Sequence, residues 1–207
     1  MPAHPNQTVR GILICLEGLD GCGKSTQARL LARWLNSLGR EVTLTAEPTD
    51  GPIGRLLRQM MRGRANFPPL AEAMLFAADR CHHLEETVKP ALSEGKIVVC
   101  ERYIHSSLAY QQARGVPDRT IRELNRHFLP PDLAVLLDIP VEVAMKRMKG
   151  RKLDKFEENR GLQEKVRKNY LLLFRREKLP ILDGGLEPHV LAEEIRKLVS
   201  PLLKTLP

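Results

Sequence analysis

The sequence predicts an α/β fold in which helices flank a five-stranded parallel sheet. Short apolar runs recur along the chain between longer stretches that carry apolar residues at helical spacing. The first run, 12–16, is continuously apolar, as expected for a parallel strand that is buried on both faces. A glycine-rich segment follows it and leads into the first helical stretch. The alternation of the two patterns predicts a three-layer arrangement, with the sheet between its helices.

The elements are predicted in the following order. The apolar runs place strands at 12–16, 42–45, 97–100, 133–137 and 181–182. Helices are predicted near 26–38, 53–63, 69–94, 103–114, 117–127, 140–149, 158–177 and 188–203. The first helix is indicated by the spacing of Leu30, Leu31, Trp34, Leu35 and Leu38. Ligands of such sheets bind at the carboxyl ends of the strands, where this chain carries polar residues at 18–25, 47–50, 101–103 and 138.

Composition limits the class of protein. A length of 207 residues fits one domain, predicted at 10–207, after a flexible polar tail at 1–9. No apolar run approaches the length of a membrane span, so we expect no membrane partner. The net charge of +8 raises the question of nucleic acid, but the basic residues are mixed with acidic ones, as in 119–123. We expect no nucleic-acid partner, because a cationic groove for nucleotide phosphates accounts for the excess.

The cysteines indicate a reducing compartment. They show no C-x-x-C pairing and lie at Cys15, Cys22, Cys81 and Cys100. Cys15 and Cys100 fall in predicted strands, where they are expected to be small core residues. We therefore expect a cytoplasmic protein.

The segment 18–25 fits the phosphate-binding pattern G-x-x-x-x-G-K-[ST] at every fixed position. Its setting between a buried strand and a helix is the one that this loop requires, because backbone N–H groups and the helix N-terminus then surround a phosphate. Lys24 is expected to reach the outer phosphates of ATP, and Ser25 to ligate Mg²⁺. The predicted nucleotide-binding residues are Gly18, Leu19, Asp20, Gly21, Cys22, Gly23, Lys24, Ser25 and Thr26.

An acid near the phosphates is expected to organise the metal ion. Glu101 ends the third strand and is followed by Arg102 and Tyr103, so we rank it first and predict it as a metal residue with Ser25. Asp138, at the end of the fourth strand, is the second candidate. An ordinary ion pair between Glu101 and a neighbouring arginine is the alternative.

Phe76 and Arg80 are four residues apart and share a face of a predicted helix. A ring that stacks on a base and a guanidinium that donates to its carbonyl suit a pyrimidine with an exposed oxygen acceptor. The residues alone leave open a core phenylalanine and a surface arginine.

Together these segments resemble the thymidylate kinase family, a group of phosphate-loop nucleoside monophosphate kinases. The resemblance runs from about 11 to 199 and comprises the loop at 17–26, Ala46-Glu47-Pro48, the pattern F-x-x-x-R at 76–80, Glu101-Arg102-Tyr103, the segment 106–111, and Asp154-Lys155-Phe156-Glu157. Their combination in this order is far more specific than the phosphate loop. The resemblance implies a P-loop NTPase fold with a short lid at about 147–157, and a homodimer.

The resemblance also implies a reaction and roles for residues. ATP with Mg²⁺ would phosphorylate dTMP to dTDP. Residues implied to bind substrate are Asp20, Glu47, Pro48, Phe76, Arg80, Arg102, Ser106, Tyr110 and Gln111. Residues implied to be catalytic are Lys24, Glu101, Arg102, Arg147 and Arg151, the last two as cations of the lid, with Lys155 in support. The loop 183–185 is implied to shape the adenine pocket.

Three positions depart from the family pattern. Ala46 replaces an arginine, Glu101 an aspartate and Lys155 the arginine of the lid. Two alternative functions remain beside the first: a kinase for another pyrimidine monophosphate such as dUMP or UMP, and a nucleotide-binding regulator without turnover. Ala46 and Glu101 favour the regulator, whereas Lys24, Arg102 and the lid favour the enzyme.

Overall fold

A computed structural model of the chain describes residues 11–151, 153–204 and 206, so the tail predicted at 1–9 lies outside the described residues. Its strands are β1 (Ile12–Glu17), β2 (Val42–Ala46), β3 (Ile97–Glu101), β4 (Leu133–Asp138) and β5 (Ile181–Asp183). All neighbouring pairs are parallel, in the order β2-β3-β1-β4-β5. Helices flank the sheet, which confirms the predicted fold class.

Each strand ends one residue later than predicted. The added residues are Glu17, Ala46, Glu101, Asp138 and Asp183. Apolar patterning misses these residues, although their backbones still belong to the strands. Because the strands are parallel, all five positions lie at one edge of the sheet, and Glu101 is the register partner of both Leu16 and Ala46.

The helices begin and end within two residues of most predicted bounds. They are α1 (Lys24–Ser37), α2 (Pro52–Met61), α3 (Pro69–His83), α4 (Lys89–Ser93), α5 (Ile104–Ala113), α6 (Asp118–Asn125), α7 (Val141–Met148), α8 (Arg160–Arg176) and α9 (Pro188–Leu203). The stretch predicted at 69–94 is helical over 69–93, but it is not one regular α-helix, because a π-helical turn, Leu84–Val88, joins α3 to α4. Pro90 lies just beyond that turn, and its ring would clash with the carbonyl of residue 86 in a regular α-helix.

The core lies around the central strands. Every residue of β1 is buried, as are the first four residues of β3, whereas the edge strand β2 is only partly covered. Cys15 and Cys100 are buried register partners with free thiols, as the sequence predicts for core cysteines. Within the described part of the chain, no helix combines the length and apolarity that crossing a membrane requires.

Candidate active site

The phosphate loop connects β1 to α1, as predicted. Residues 18–23 form the loop, and Lys24, Ser25 and Thr26 form the first turn of α1. Glycine is required at Gly21, where φ is +80° and an added Cβ would lie 2.6 Å from the carbonyl oxygen of Ala144. The Lys24 ammonium donates to the carbonyl oxygens of Gly18 (3.1 Å) and Leu19 (2.8 Å). The lysine is therefore held inside the curve of the loop, where a phosphate would meet it.

Arg147 lies on the other side of this loop. Its predicted place in the lid is wrong, because it belongs to the last turn of α7. Its guanidinium donates to the carbonyl oxygens of Gly184 (2.8 Å) and Gly21 (3.5 Å). Gly184 passes so close to the loop that an added Cβ would lie 3.1 Å from the Cys22 carbonyl oxygen. Arg147 thus joins the phosphate loop to the loop after β5, and its catalytic role stays a prediction.

The two carboxylates ranked for the metal ion have different surroundings. Glu101 Oε2 accepts a 2.6 Å hydrogen bond from the Ser25 hydroxyl. Asp138 instead accepts two hydrogen bonds from Arg167, at 2.8 and 2.9 Å. Because Arg167 already neutralises Asp138, this geometry favours Glu101 and Ser25 as the pair of oxygen donors beside the phosphate loop.

Asp20 connects the phosphate loop to Arg102. Its Oδ1 lies 2.7 Å from the Arg102 guanidinium and 3.8 Å from the Lys24 ammonium. Burial alone would raise the pKa of Asp20, but the attraction of Arg102 and Lys24 outweighs it and holds that pKa well below its ordinary value. Asp20 is therefore an anion that aligns two cations from different elements.

Arg102 has an unusual backbone conformation, and its guanidinium is held by several neighbouring side chains. Its φ of +65° is a left-handed conformation that residues other than glycine seldom adopt. Its guanidinium lies 5.0 Å from the Tyr110 ring centroid and donates to the Tyr110 hydroxyl at 3.2 Å. Longer hydrogen bonds reach Ser106 Oγ (3.4 Å) and the Tyr170 hydroxyl (3.5 Å).

A cavity of about 810 Å³ extends from Asp20 away from the phosphate loop. It is lined by all nine of the predicted substrate residues, together with Arg151 of the lid: Asp20, Glu47, Pro48, Phe76, Arg80, Arg102, Ser106, Tyr110 and Gln111. Phe76 and Arg80 both line it, so the helix face that they share is turned toward the cavity. Their contacts with a base stay a prediction. Gln111 is buried, and its Oε1 has no hydrogen-bond partner among the described residues.

Arg80 is fixed more firmly than the sequence suggests. It is 1% exposed and makes two hydrogen bonds to Glu47 Oε2, at 2.7 and 3.0 Å. Further hydrogen bonds go to Ser107 (3.1 Å), to the Tyr103 carbonyl (3.0 Å) and to Asn125. Since its five N–H groups already have acceptors, donation to a base carbonyl requires one of these bonds to be shared or exchanged. That donation stays a prediction.

Sequence reasoning missed several residues of the cavity wall. Ser107 holds Arg80, and Arg58 of α2 lines the cavity while donating to the Pro48 carbonyl at 2.7 Å. Arg58 supplies a cation next to the segment in which Ala46 departs from the family pattern. The sequence predicts α2 as a helix, but no local pattern in it predicts that this helix packs beside the loop after β2.

Residues 153–157, in the lid predicted at about 147–157, are anchored in two ways. Asp154 Oδ1 accepts the backbone N–H groups of Phe156 (2.8 Å) and Glu157 (2.9 Å), while Glu157 accepts that of Asp154, the reciprocal pattern of a capping box around a single turn. The Lys155 ammonium lies 3.1 Å from Glu72, a carboxylate that is 0% exposed. Lys155 thus connects the lid to α3, while Arg151 of the same segment lines the cavity.

Comparison with known proteins gives concordant results. A family model described as thymidylate kinase matches residues 16–195. The chain is 49% identical over 172 residues to a probable thymidylate kinase of Thermococcus gammatolerans, covering 79% of this chain and 83% of the relative. It is 42% identical over 203 residues to a thymidylate kinase of Clavibacter sepedonicus, covering 93% and 96%.

Proposed function

The chain belongs to the thymidylate kinase family, and we propose that it transfers the γ-phosphoryl group of ATP to dTMP, giving dTDP and ADP. One observation carries this proposal. The cavity lined by Phe76 and Arg80 begins at Asp20, inside the phosphate loop, so a nucleotide there presents its phosphate to the phosphates of ATP. Placing the two substrates in contact is the main requirement of a phosphoryl transfer.

Mg²⁺ fits the oxygens beside the loop. The Ser25 hydroxyl and the Glu101 carboxylate are hard donors already in contact at 2.6 Å. We assign these two residues to the ion or to its water ligands. When bound, Mg²⁺ neutralises part of the triphosphate charge and orients the γ-phosphate.

The reaction itself needs little proton transfer. The acceptor phosphate has a second pKa of about 6 and is largely a dianion at neutral pH, so no strong base is required. One of its oxygens bonds to the γ-phosphorus as the bond from that phosphorus to the β–γ bridging oxygen breaks, and the electron pair leaves with ADP. In our assignment Lys24 holds the outer phosphates of ATP, Arg102 holds the acceptor phosphate, and Arg151 approaches from the lid. These cations offset the repulsion between two polyanions.

The choice of base depends on the far end of the cavity. Phe76 supplies a stacking ring. Gln111 supplies an acceptor oxygen that has no partner among the described residues, and this oxygen suits the N–H group that thymine and uracil carry at N3. Cytosine has an acceptor at that position. We assign Tyr110 to the sugar, because it lines the cavity beside Arg102 and its ring disfavours a ribose hydroxyl. We also propose a cytoplasmic homodimer, as the family resemblance implies.

The test is release of ADP in a coupled assay with Mg-ATP and dTMP, dUMP, dCMP, UMP or AMP. We expect the highest kcat/KM with dTMP. Gln111→Leu should lower kcat/KM for dTMP by about 10-fold and leave the KM for ATP unchanged. Leu172→Gln, a change of an exposed apolar residue on α8, is the control for expression and folding. Preference for another acceptor would refute the base assignment. Tight ATP binding without turnover of any acceptor would indicate a regulator.

A further inference from the structure

Glu17 is a buried carboxylate directly before the phosphate loop, and it is 0% exposed. Within the described part of the chain, no lysine or arginine lies at ion-pair distance from it. The basic side chain at ion-pair distance from Glu17, among the described residues, is His105, whose Nδ1 is 3.9 Å from Glu17 Oε1. A buried carboxylate is costly unless it is hydrogen-bonded and its charge is balanced, so the state of this imidazole matters.

His105 has a carboxylate at each ring nitrogen. The residue is 7% exposed in the first turn of α5, and its ring packs against Phe174 with 5.1 Å between centroids. Its Nε2 lies 3.5 Å from Glu177 Oε2, on the opposite side of the ring from Glu17. In a neutral imidazole one nitrogen is an acceptor whose lone pair would point at a carboxylate, whereas an imidazolium offers an N–H to each. The buried Nδ1 has no hydrogen-bond partner among the described residues, and the carboxylate that an N–H there would face is Glu17, 3.9 Å away.

Several charged groups surround the Glu177 end of His105. The contact with His105 is the leading cause that lowers the pKa of Glu177, which is brought to about 2 with help from Arg122. Arg122 of α6 lies 3.1 Å from Glu177, and Arg176 of α8 lies 3.7 Å from it. Tyr170 of α8 faces the same region through its hydrogen bond to Glu17. Glu177 therefore shares its charge among several cations, whereas Glu17 has His105 alone at ion-pair distance within the described structure.

Glu17 holds the groups that surround Arg102. Its Oε2 accepts the hydroxyls of Ser106 (2.6 Å) and Tyr170 (3.0 Å), and Arg102 donates to both of these oxygens. Its Oε1 accepts the backbone N–H of Tyr103 at 2.9 Å, immediately after Arg102. These bonds fix the segment in which Arg102 has its left-handed φ of +65°. Moving the Glu17 carboxylate would therefore move the Arg102 guanidinium.

We propose that His105 works as an imidazolium between Glu17 and Glu177 and is thereby a positioning residue for Arg102. It is not among the residues that line the cavity, so we assign it no contact with the acceptor. Loss of its proton leaves Glu17 uncompensated, which disturbs Ser106, Tyr170 and the grip of Arg102 on the acceptor phosphate. The inference rests on the proposed function, because Arg102 can be positioned for an acceptor only if the protein uses one.

The first test measures the protonation state of the His105 ring and does not depend on enzyme activity. The ¹⁵N chemical shifts of histidine distinguish an imidazolium from either neutral tautomer, and the signals missing from His105→Gln identify this one among the six histidines of the chain. We expect both nitrogens to be protonated at neutral pH in the wild-type protein. A neutral ring would overturn the proposal. Glu177→Gln should move the loss of the proton to lower pH, which keeps the test available if His105→Gln does not fold.

The second test measures the consequence. His105→Gln should lower kcat/KM for dTMP by about 10-fold, with an unchanged KM for ATP. As the pH rises, wild-type kcat/KM should fall over the same range in which the His105 signal shows loss of the proton. This fall should be absent from His105→Gln. His127→Gln, an exposed histidine after α6, is the matched control. An imidazolium whose replacement changes neither kcat/KM nor its pH dependence would overturn the positioning role. A wild-type protein that does not phosphorylate dTMP would refute the proposed function, while the ring titration would remain interpretable.

Discussion

The Ser25 hydroxyl donates a 2.6 Å hydrogen bond to Glu101 Oε2, joining the first turn of α1 to the end of β3 across 76 positions of sequence. The register explains the contact, because Glu101 pairs with Leu16 of β1, and β1 leads directly into the phosphate loop. Any ligand of the loop therefore meets a hydroxyl and a carboxylate together. This relationship distinguishes Glu101 from the other acids at the same edge of the sheet.

Glu101→Gln should raise the Mg²⁺ concentration needed for half-maximal activity and lower kcat by about 10- to 100-fold, because the amide binds a divalent cation less well. The measurement is kcat as a function of Mg²⁺. Asp138→Asn is the matched control, since Asp138 is paired with Arg167. It should change only stability, by about 1 kcal/mol or less. A Mg²⁺ shift in the control and none in Glu101→Gln would reverse the assignment.

Lys155→Ala should loosen the lid. The ammonium of Lys155 lies 3.1 Å from the fully buried Glu72, which would keep only Arg114 as an ion-pair partner within the described structure. We expect the KM for dTMP to rise about 3- to 10-fold, with a smaller change in kcat. Hydrogen exchange of 153–157 should become faster. Lys165→Ala, an exposed lysine of α8, should change neither quantity, and an equal effect there would argue against the anchor.

A comparison of Gly21→Ala with Gly39→Ala separates two reasons for glycine at a position: a positive φ, and a lack of space for a Cβ. Their φ values are similar, +80° and +76°, but an added Cβ would lie 2.6 Å from the Ala144 carbonyl oxygen at Gly21 and meet nothing within 4 Å at Gly39. Urea unfolding should show a loss of about 1 kcal/mol at Gly39, from backbone strain alone. Gly21→Ala should lose about 1–3 kcal/mol more, because α7 must move. Equal losses in the free energy of unfolding would mean that the close approach of Gly21 to α7 adds nothing to the cost of the substitution.

Glu177→Gln should make stability less dependent on pH in acid. Hydrogen bonding to His105 is the leading cause that lowers the pKa of Glu177 from its ordinary 4.5 to about 2. The unfolded state therefore binds more protons, and the stabilisation is complete above pH 4.5 and lost as pH falls toward 2. The variant should be less stable than the wild type by about 1 kcal/mol at neutral pH, because Glu177 is partly exposed. The difference should shrink toward pH 2, and a difference independent of pH would contradict this linkage.

Several features of the site could be predicted before any contact was known. Glu101 ends an apolar run, and parallel strands bring their carboxyl ends to one edge, so this acid had to lie near the phosphate loop. Phe76 and Arg80 share a face because helical spacing fixes neighbours four apart. Arg147 was misplaced because a charged residue near a glycine looks the same at the end of a helix as in a loop.

The sequence alone determined the α/β class, the phosphate loop and the family, because these depend on spacing along the chain. The tertiary structure decided which partner each charged group has. Only tertiary packing brings Arg167 to Asp138 and Ser25 to Glu101. Only tertiary packing gives each N–H group of Arg80 an acceptor. The physical reason is that ion pairs and buried hydrogen bonds form between elements that are distant in sequence, where local periodicity carries no information about distance.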